Sequence, residues 1–153
     1  MDKDFKETTG PHSGPQTGQC HCGGVKFTVR LVDGLSKPVR CNCTMCRMKG
    51  AVMVFAEVGS IDVTAGEDML STYQFHTNVA KHHFCSRCGI HLFHQRRFDP
   101  GLYGVNVAVL EGVSPFDFDE VAVFDGANHP KDTGGGELKV IGHVRFEKVQ
   151  PKP

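Results

Sequence analysis

Apolar and polar side chains alternate along the segment that follows Gly23. One face of an extended chain would carry only apolar side chains, namely Val25, Phe27, Val29 and Leu31. A period of two is typical of a β-strand with one buried face. Similar runs recur between Gly, Pro, Asn and Asp turns: Ala51–Val58, Ile61–Thr64, Ser71–His76, Ala80–Cys85, His91–Gln95, Leu102–Leu110 and Val121–Phe124. The pattern predicts a mostly β fold built of short antiparallel sheets.

The sequence divides into a tail, one domain and a short C-terminal end. Residues 1–17 combine polar side chains with glycine and proline, a composition that buries too little apolar surface to offset the entropy of ordering. We therefore expect a mobile N-terminal tail over 1–17, a folded domain over 18–147 and a C-terminal tail over 148–153. A glycine-rich connector, Thr133–Gly136, precedes Leu138–Phe146, which is expected to form a late strand or an appended arm.

Length and charge narrow the classes of function. At 153 residues the chain has room for one ordinary domain. No apolar run approaches the roughly 18–20 residues that a membrane span requires. The 17 Lys and Arg residues balance the 17 Asp and Glu residues, so no net positive charge would attract nucleic acid or an anionic membrane. We therefore expect neither a nucleic-acid partner nor a membrane partner.

The chain contains seven cysteines, which changes this picture of an ordinary domain. The number is odd, and the N-terminal sequence MDKDFKETTG contains no apolar leader, so a secreted disulfide framework is not expected. Cysteines in a reducing compartment more often serve as metal ligands or catalytic thiols. The sequence therefore predicts a cytoplasmic, metal-binding protein.

The cysteines fall into three groups: Cys20–Cys22, Cys41–Cys46 and Cys85–Cys88. Residues i and i+2 of a strand face the same side, so a Cys-x-Cys pair can present two thiols to one ion. The Cys-x-x-Cys group followed by Gly89 is typical of a zinc knuckle, because glycine accepts the positive φ of that turn. Seven thiolates divide into four that close a tetrahedral zinc site and three that leave a position open for water or substrate. Spacing leaves open which groups combine, and a histidine such as His21 or His91 could complete the smaller set.

The chain resembles the glutathione-dependent formaldehyde-activating enzyme (GFA) family, which also includes centromere protein V-like proteins, in three segments: TGQCHCGGVKFTV, CNCTMCRMKGA and YQFHTNVAKHHFCSRCGIHLF. The similarity spans Gly18–Gly126 and implies an Mss4-like β-tent, with 18–147 as a zinc-binding domain that holds two Zn²⁺ ions. The resemblance implies that a structural zinc is held by Cys20, Cys22, Cys85 and Cys88. It implies that a catalytic zinc is held by Cys41, Cys43 and Cys46.

The resemblance also implies an activity. It predicts a zinc-dependent carbon–sulfur lyase, similar to S-(hydroxymethyl)glutathione synthase, that forms or cleaves S-hydroxymethylglutathione or a related thiol–aldehyde adduct. An open zinc can hold a substrate thiolate or polarise an aldehyde oxygen. The expected partners are glutathione, or another small thiol, and an aldehyde such as formaldehyde. The alternative is a non-catalytic zinc-binding module that presents the same fold to a protein partner.

Glutathione carries two carboxylates, so a site for it should contain cationic donors. Arg47 and Lys49 directly follow the middle cysteine group and are the predicted substrate-binding residues. Lys81, Arg96 and Arg97 lie near the knuckle and are further candidates, although an Arg-Arg pair is more typical of a solvated turn.

Two pairs of histidines lie close to the knuckle in the sequence. His82 and His83 are adjacent in a predicted strand and should face opposite ways, so at most one could face the metal site. His91 and His94 are three residues apart in the next predicted strand and should also face opposite sides. This spacing argues against a metal shared by the second pair.

Overall fold

Residues 14–153 are described in a computed structural model of the protein, and β-strands dominate them. In chain order the strands are β1 (Gln16–Gln19), β2 (Lys26–Leu31), β3 (Val39–Cys41), β4 (Met53–Ala65), β5 (Leu70–Tyr73), β6 (Lys81–Cys85), β7 (His91–Gln95), β8 (Leu102–Asn106), β9 (Glu120–Phe124) and β10 (Val140–Arg145). A short helix, α1 (Thr44–Lys49), lies between β3 and β4. The prediction of a mostly β fold is confirmed. No helix in the described range is long and apolar enough to cross a membrane.

The ten strands are hydrogen-bonded into one connected sheet rather than into separate small ones. The order is β10-β9-β3-β4-β8-β7-β6-β5, and β2 joins this path by pairing with both β4 and β1. Most neighbours run antiparallel, but β3 and β9 are parallel, and Cys41 at the end of β3 pairs with Phe124 at the end of β9. The segment that follows β9 therefore lies beside the middle cysteine group.

The alternating segment forms β2 as predicted, and its apolar face anchors the core. Val25, Phe27 and Val29 are at most 1% exposed. Phe27 packs edge-to-face on Phe93, with ring centroids 5.3 Å apart, and burying such a side chain contributes about 1.5–3 kcal/mol. A Cβ at Gly18 would come within 2.5 Å of the Phe27 ring. The absence of a side chain at Gly18 therefore lets β1 close over the core.

The two predicted strands on either side of Gly59 form the single long strand β4. Its pairing with β2 is interrupted, since Val29 pairs with Ile61 whereas Leu31 pairs with Ala56. Gly59 lies in the interrupted part with φ 91°, a conformation that costs glycine little. A bulge of this kind bends a strand without ending it.

Strands lie close to both ends of the described range. β1 begins at Gln16, so the last two residues of the predicted tail 1–17 belong to the sheet. Residues 1–13 of that tail lie outside the described range. The predicted strand or arm at Leu138–Phe146 contains β10, which forms one edge of the sheet by pairing with β9. Residues 148–153 are exposed and form no strand.

Candidate functional site

Four cysteines from distant parts of the chain meet in one cluster, named here the outer site: Cys20, Cys22, Cys85 and Cys88. Their sulfur atoms all lie within 4.8 Å of one another. The Sγ atom of Cys22 lies 3.5 Å from that of Cys20 and 3.8 Å from that of Cys85. A tetrahedral zinc with Zn–S bonds of about 2.3 Å requires sulfur separations of about 3.8 Å. Both the donor set and the spacing therefore fit zinc.

Two glycine turns shape the outer site. The N–H of Gly89 donates to the carbonyl oxygen of Cys85 at 2.8 Å, and the N–H of Gly23 donates to that of Cys20 at 3.0 Å. Both glycines have positive φ, 76° and 73°. The N–H of Val25 also donates to the Cys20 sulfur at 3.3 Å. The knuckle predicted at Gly89 thus has a counterpart at Gly23.

The middle cysteine group forms a second cluster, named here the inner site. Cys41 ends β3, Cys43 is the N-cap residue of α1, and Cys46 is buried within that helix. The N–H of Cys43 donates to the Cys41 sulfur, and the N–H of Cys46 donates to the Cys43 sulfur, both at 3.4 Å. Within residues 14–153 neither cysteine cluster includes a histidine, and His21 is exposed. Three sulfur donors fit zinc with one coordination position left open.

The three inner thiols hold charge unequally. Hydrogen bonds from Cys41 and Cys46 lower the pKa of Cys43. Hydrogen bonds with Cys41, which has the larger effect, and with Cys43 raise the pKa of Cys46. One thiolate is therefore stabilised by two neighbours that stay protonated in the metal-free chain. A metal that binds this cluster must displace those protons, so its affinity rises with pH.

Gly126 lies directly against the inner site. A Cβ at this position would overlap the Cys41 sulfur and approach the Cβ of Cys43 to 2.9 Å. The side chain of Asn42 holds the same segment in place, because its oxygen accepts the N–H of Ala127 at 2.8 Å. The missing side chain at Gly126 therefore keeps space free at the sulfur atoms.

The inner cysteines line a cavity of about 320 Å³. Apolar and aromatic side chains form much of its wall: Met45, Met53, Phe55, Phe75, Phe98, Phe124 and Leu138. Its polar side chains include His82, His94, Arg96, Arg97 and Asp132. A concave, mostly apolar space with a few polar groups is typical of a small-molecule site. The outer cysteines do not line it.

Two adjacent arginines on the cavity wall differ in their partners. Arg97 forms a bidentate ion pair with Asp132, at 2.8 and 2.5 Å. The Arg96 guanidinium is half-buried and lies over the Phe55 ring, 4.3 Å from its centroid. In the described part of the chain Arg96 has no ion pair and no side-chain hydrogen bond, and burial lowers its pKa. Neither arginine is freely solvated, contrary to the expectation of a solvated turn, and Arg96 is available to an anion.

Three histidines meet beside the cavity: His82, His91 and His94. The ring centroids of His91 and His94 are 5.6 Å apart, so the prediction that these two face opposite sides of their strand is wrong. His82 lines the cavity, whereas His83 bonds to Thr72 Oγ1 through its Nδ1 at 3.0 Å. The expectation that these adjacent histidines face opposite ways is confirmed.

A β-bulge between β6 and β7 explains the error. His83 pairs with Phe93, but the next residue, Phe84, pairs with His91. Leu92 is therefore an extra residue in β7, and such a residue turns the side chains before it relative to those after it. Leu92 and Phe93 are both buried although they are adjacent. Two consecutive core residues were the sequence signal for the bulge, because strict alternation would expose one of them.

Lys49 reaches this histidine cluster from the end of α1. Its Nζ lies 2.9 Å from His82 Nδ1 and 3.2 Å from His91 Nε2. Burial lowers the pKa of Lys49, and negative charge on the inner cysteines opposes that shift. Burial and then the charge of Lys49 lower the pKa of His82 to about 4 and that of His91 to about 3. Near neutral pH His82 and His91 are therefore neutral.

The residues proposed from sequence to contact the substrate lie in different surroundings. Arg47 is exposed, and neither Arg47 nor Lys49 lines the cavity. Lys81 is also exposed and does not line it. The prediction that Arg47 and Lys49 bind the substrate stays a prediction, whereas Arg96, a further candidate from sequence, is on the cavity wall.

The chain is similar to known proteins. The model of the family described as "Glutathione-dependent formaldehyde-activating enzyme" matches residues 15–123. A Talaromyces marneffei protein named "Putative glutathione-dependent formaldehyde-activating enzyme" is 33% identical over 79 residues, which is 48% of this chain and 41% of that protein. The chain thus aligns with less than half the length of that relative.

A solved structure is also similar. The crystal structure of a Rhodobacter sphaeroides protein is 48% identical, with a TM-score of 0.68, and the similarity covers 70% of this chain and 98% of that one. All seven cysteines lie within the residues that the family model matches, whereas Gly126 and β10 lie beyond them. The chain belongs to the glutathione-dependent formaldehyde-activating enzyme (GFA) family.

Proposed function

We propose that this protein is a zinc-dependent carbon–sulfur lyase or synthase that forms and cleaves S-hydroxymethylglutathione or a related thiol–aldehyde adduct. Family membership supports a role in glutathione-dependent formaldehyde activation. The single observation that carries the proposal is the position of three clustered thiols on the wall of a cavity that also contains the unpaired cation Arg96.

Two zinc ions form part of this proposal. The outer site would hold a structural ion through four thiolates, and the inner site would hold a second ion through Cys41, Cys43 and Cys46. Zinc with an open position supplies Lewis acidity and suppresses protonation of a bound thiol. The sulfur-only donor sets and the sulfur separations at the outer site support this assignment.

The side chains of the cavity have separate tasks in binding. The guanidinium of Arg96 would pair with a carboxylate of glutathione, since it is half-buried and has no ion pair or side-chain hydrogen bond in the described chain. The aromatic rings of Phe55 and Phe124 line the same wall and would exclude water from the reacting groups. Gly126 leaves space for a substrate sulfur beside the inner cysteines.

Two-dimensional exchange NMR of a glutathione and formaldehyde mixture tests the activity. The two-zinc protein should raise the exchange rate above the spontaneous one, and Cys43→Ala should abolish the increase while the outer zinc remains bound. Calorimetry with glutathione measures binding separately from turnover. If intact two-zinc protein neither binds glutathione at millimolar concentration nor accelerates exchange, the assignment fails, and the family fold then serves as a zinc-binding interaction module.

A further inference from the structure

Lys49 is a half-buried cation without a carboxylate partner in residues 14–153. Its hydrogen-bond partners are the imidazole nitrogens of His82 and His91. Removing an ammonium group from water is costly unless its donors are satisfied. The two imidazoles satisfy donors of Lys49 and so reduce this cost. Their placement around the lysine, beside a cavity lined by three thiols, suggests a role in the chemistry of that cavity.

The contacts of Lys49 fix the tautomer of His82. An ammonium group has three donors and no acceptor, so the nitrogen that faces it, His82 Nδ1, must accept. A neutral imidazole carries one hydrogen, which then resides on Nε2. His82 lines the cavity, and its Nε2 has no partner in the described chain. His82 therefore presents an N–H donor that has no acceptor within residues 14–153.

Two rings stack on His82. Phe75 stacks on it with ring centroids 5.8 Å apart, and His94 stacks on it at 5.0 Å. A Cβ at Gly104 would come within 2.5 Å of the His94 ring, so the close packing of His94 against β8 depends on that glycine. The imidazole of His82 is thus held by two stacking contacts and by a hydrogen bond to Lys49.

We propose that Lys49 and His82 form a proton relay that delivers a proton to the carbonyl oxygen of an aldehyde bound in the cavity. This inference rests on the proposed function. When a thiolate sulfur forms the new C–S bond, the π electron pair of the carbonyl moves to oxygen, and that oxygen takes the Nε2 proton of His82. The Nδ1 atom takes a proton from the Lys49 ammonium, which becomes a neutral amine and regains its proton from water. Cleavage of the adduct runs through the same transfers in reverse.

The spacing of the three imidazoles would also suit a metal ion, because their ligand atoms lie within 4.8 Å of one another. The Lys49 ammonium uses lone pairs of two of them. A metal ion would therefore have to use the opposite nitrogen of each of these two rings, which for His82 is the Nε2 atom that carries the relay proton. The relay therefore requires that the histidine cluster bind no metal while Lys49 is in place.

Four variants test the relay in the zinc-loaded protein. Lys49→Met and His82→Gln should lower kcat in the exchange assay by about 10²–10⁴-fold, the usual contribution of general acid–base catalysis, with little change in KM for glutathione. Lys49→Arg supplies a donor-only cation that does not release protons, so it should keep the His82 tautomer but not the rate. His83→Gln is the matched control, since His83 faces the other side of β6, and its kcat should equal that of the unaltered protein.

Nitrogen-15 NMR of the histidine side chains supplies a readout independent of activity. His82 should carry its hydrogen on Nε2 in the unaltered protein and in Lys49→Arg, and should lose this fixed preference in Lys49→Met. A hydrogen on Nδ1, or a third zinc bound by imidazoles, overturns the relay. So does an active protein in which Lys49→Met or Lys49→Arg keeps the original kcat. If the unaltered protein itself fails to accelerate exchange, the proposed function and the relay fall together.

Discussion

The outer and inner cysteine sites are built from the same side chain but differ in the length of chain they span and in their surroundings. The outer site joins residues 63 positions apart, such as Cys22 and Cys85, and Cys20 and Cys85 are at most 1% exposed. The inner site spans six residues of one segment, and all three of its cysteines line a cavity. One cluster therefore closes the fold, whereas the other closes almost no chain.

This difference supports the role proposed for each site without reference to substrate. A metal that joins β1 and β2 to the turn between β6 and β7 contributes directly to the free energy of folding. A metal bound within Cys41–Cys46 would contribute little, because it closes only six residues and β3 is also held by backbone pairing with β4 and β9. The inner thiols are thus free to serve chemistry.

The largest expected effect is loss of the fold at the outer site. Cys88→Ser should unfold the domain at ambient temperature, because structural zinc contributes an apparent ~10–16 kcal/mol and whole domains have only about 5–15 kcal/mol of stability. Cys46→Ser should leave a folded protein with altered inner metal binding. Circular dichroism melting compares the two variants, and equal losses of thermal stability would contradict the division of roles.

If both proposed zinc ions are bound, a chelator should remove them in sequence. The inner ion, with three protein ligands and access to the cavity, should leave first, with little change in circular dichroism. The outer ion should leave later and together with the fold. Timed metal analysis during chelation, with parallel spectra, checks this order. Unfolding that accompanies release of the first ion would show that the inner site is also structural.

A smaller effect is expected from filling the space at the inner site alone. Gly126→Ala should weaken inner zinc or thiol binding by about ten- to a hundredfold, because an overpacked contact typically costs 1–3 kcal/mol. Gly142→Ala is the matched control, since a Cβ there meets no atom within 4 Å. Zinc titration with a colorimetric competitor measures both variants. Equal affinities would mean that the segment after β9 moves aside without a loss of binding free energy at the inner site.

Sequence reasoning succeeded where a short-range pattern controls the structure. The alternation in β2 and the glycine turn after Cys88 depend on neighbouring residues, and both were predicted. The histidine cluster depends on the Leu92 bulge, which shifts the register of two strands. The contact of Gly126 with the inner site depends on the parallel pairing of β3 and β9, which no local pattern encodes.

The same limit applies to the candidate site. Spacing identified the cysteine groups, and the family resemblance indicated how they combine. The sequence does not show which of the two arginines on the cavity wall lacks an ion pair. That depends on which of them contacts Asp132, and Asp132 lies 35 residues after Arg97 in the chain. Arg47 is near the inner cysteines in sequence but exposed, whereas Arg96 is distant in sequence and lies on the cavity wall.

The smallest expected effect is on substrate binding, and it distinguishes Arg96 from Arg47. Arg96→Gln should raise KM for glutathione about tenfold, the lower range for a hydrogen bond to a charged group, because its guanidinium is only half-buried. Its KM for 2-mercaptoethanol, a thiol without carboxylates, should not change. Arg47→Gln should alter neither value if the cavity wall binds the carboxylate. Exchange NMR at varied thiol concentration measures all four constants, and a larger effect from Arg47→Gln would favour the sequence-based prediction over Arg96.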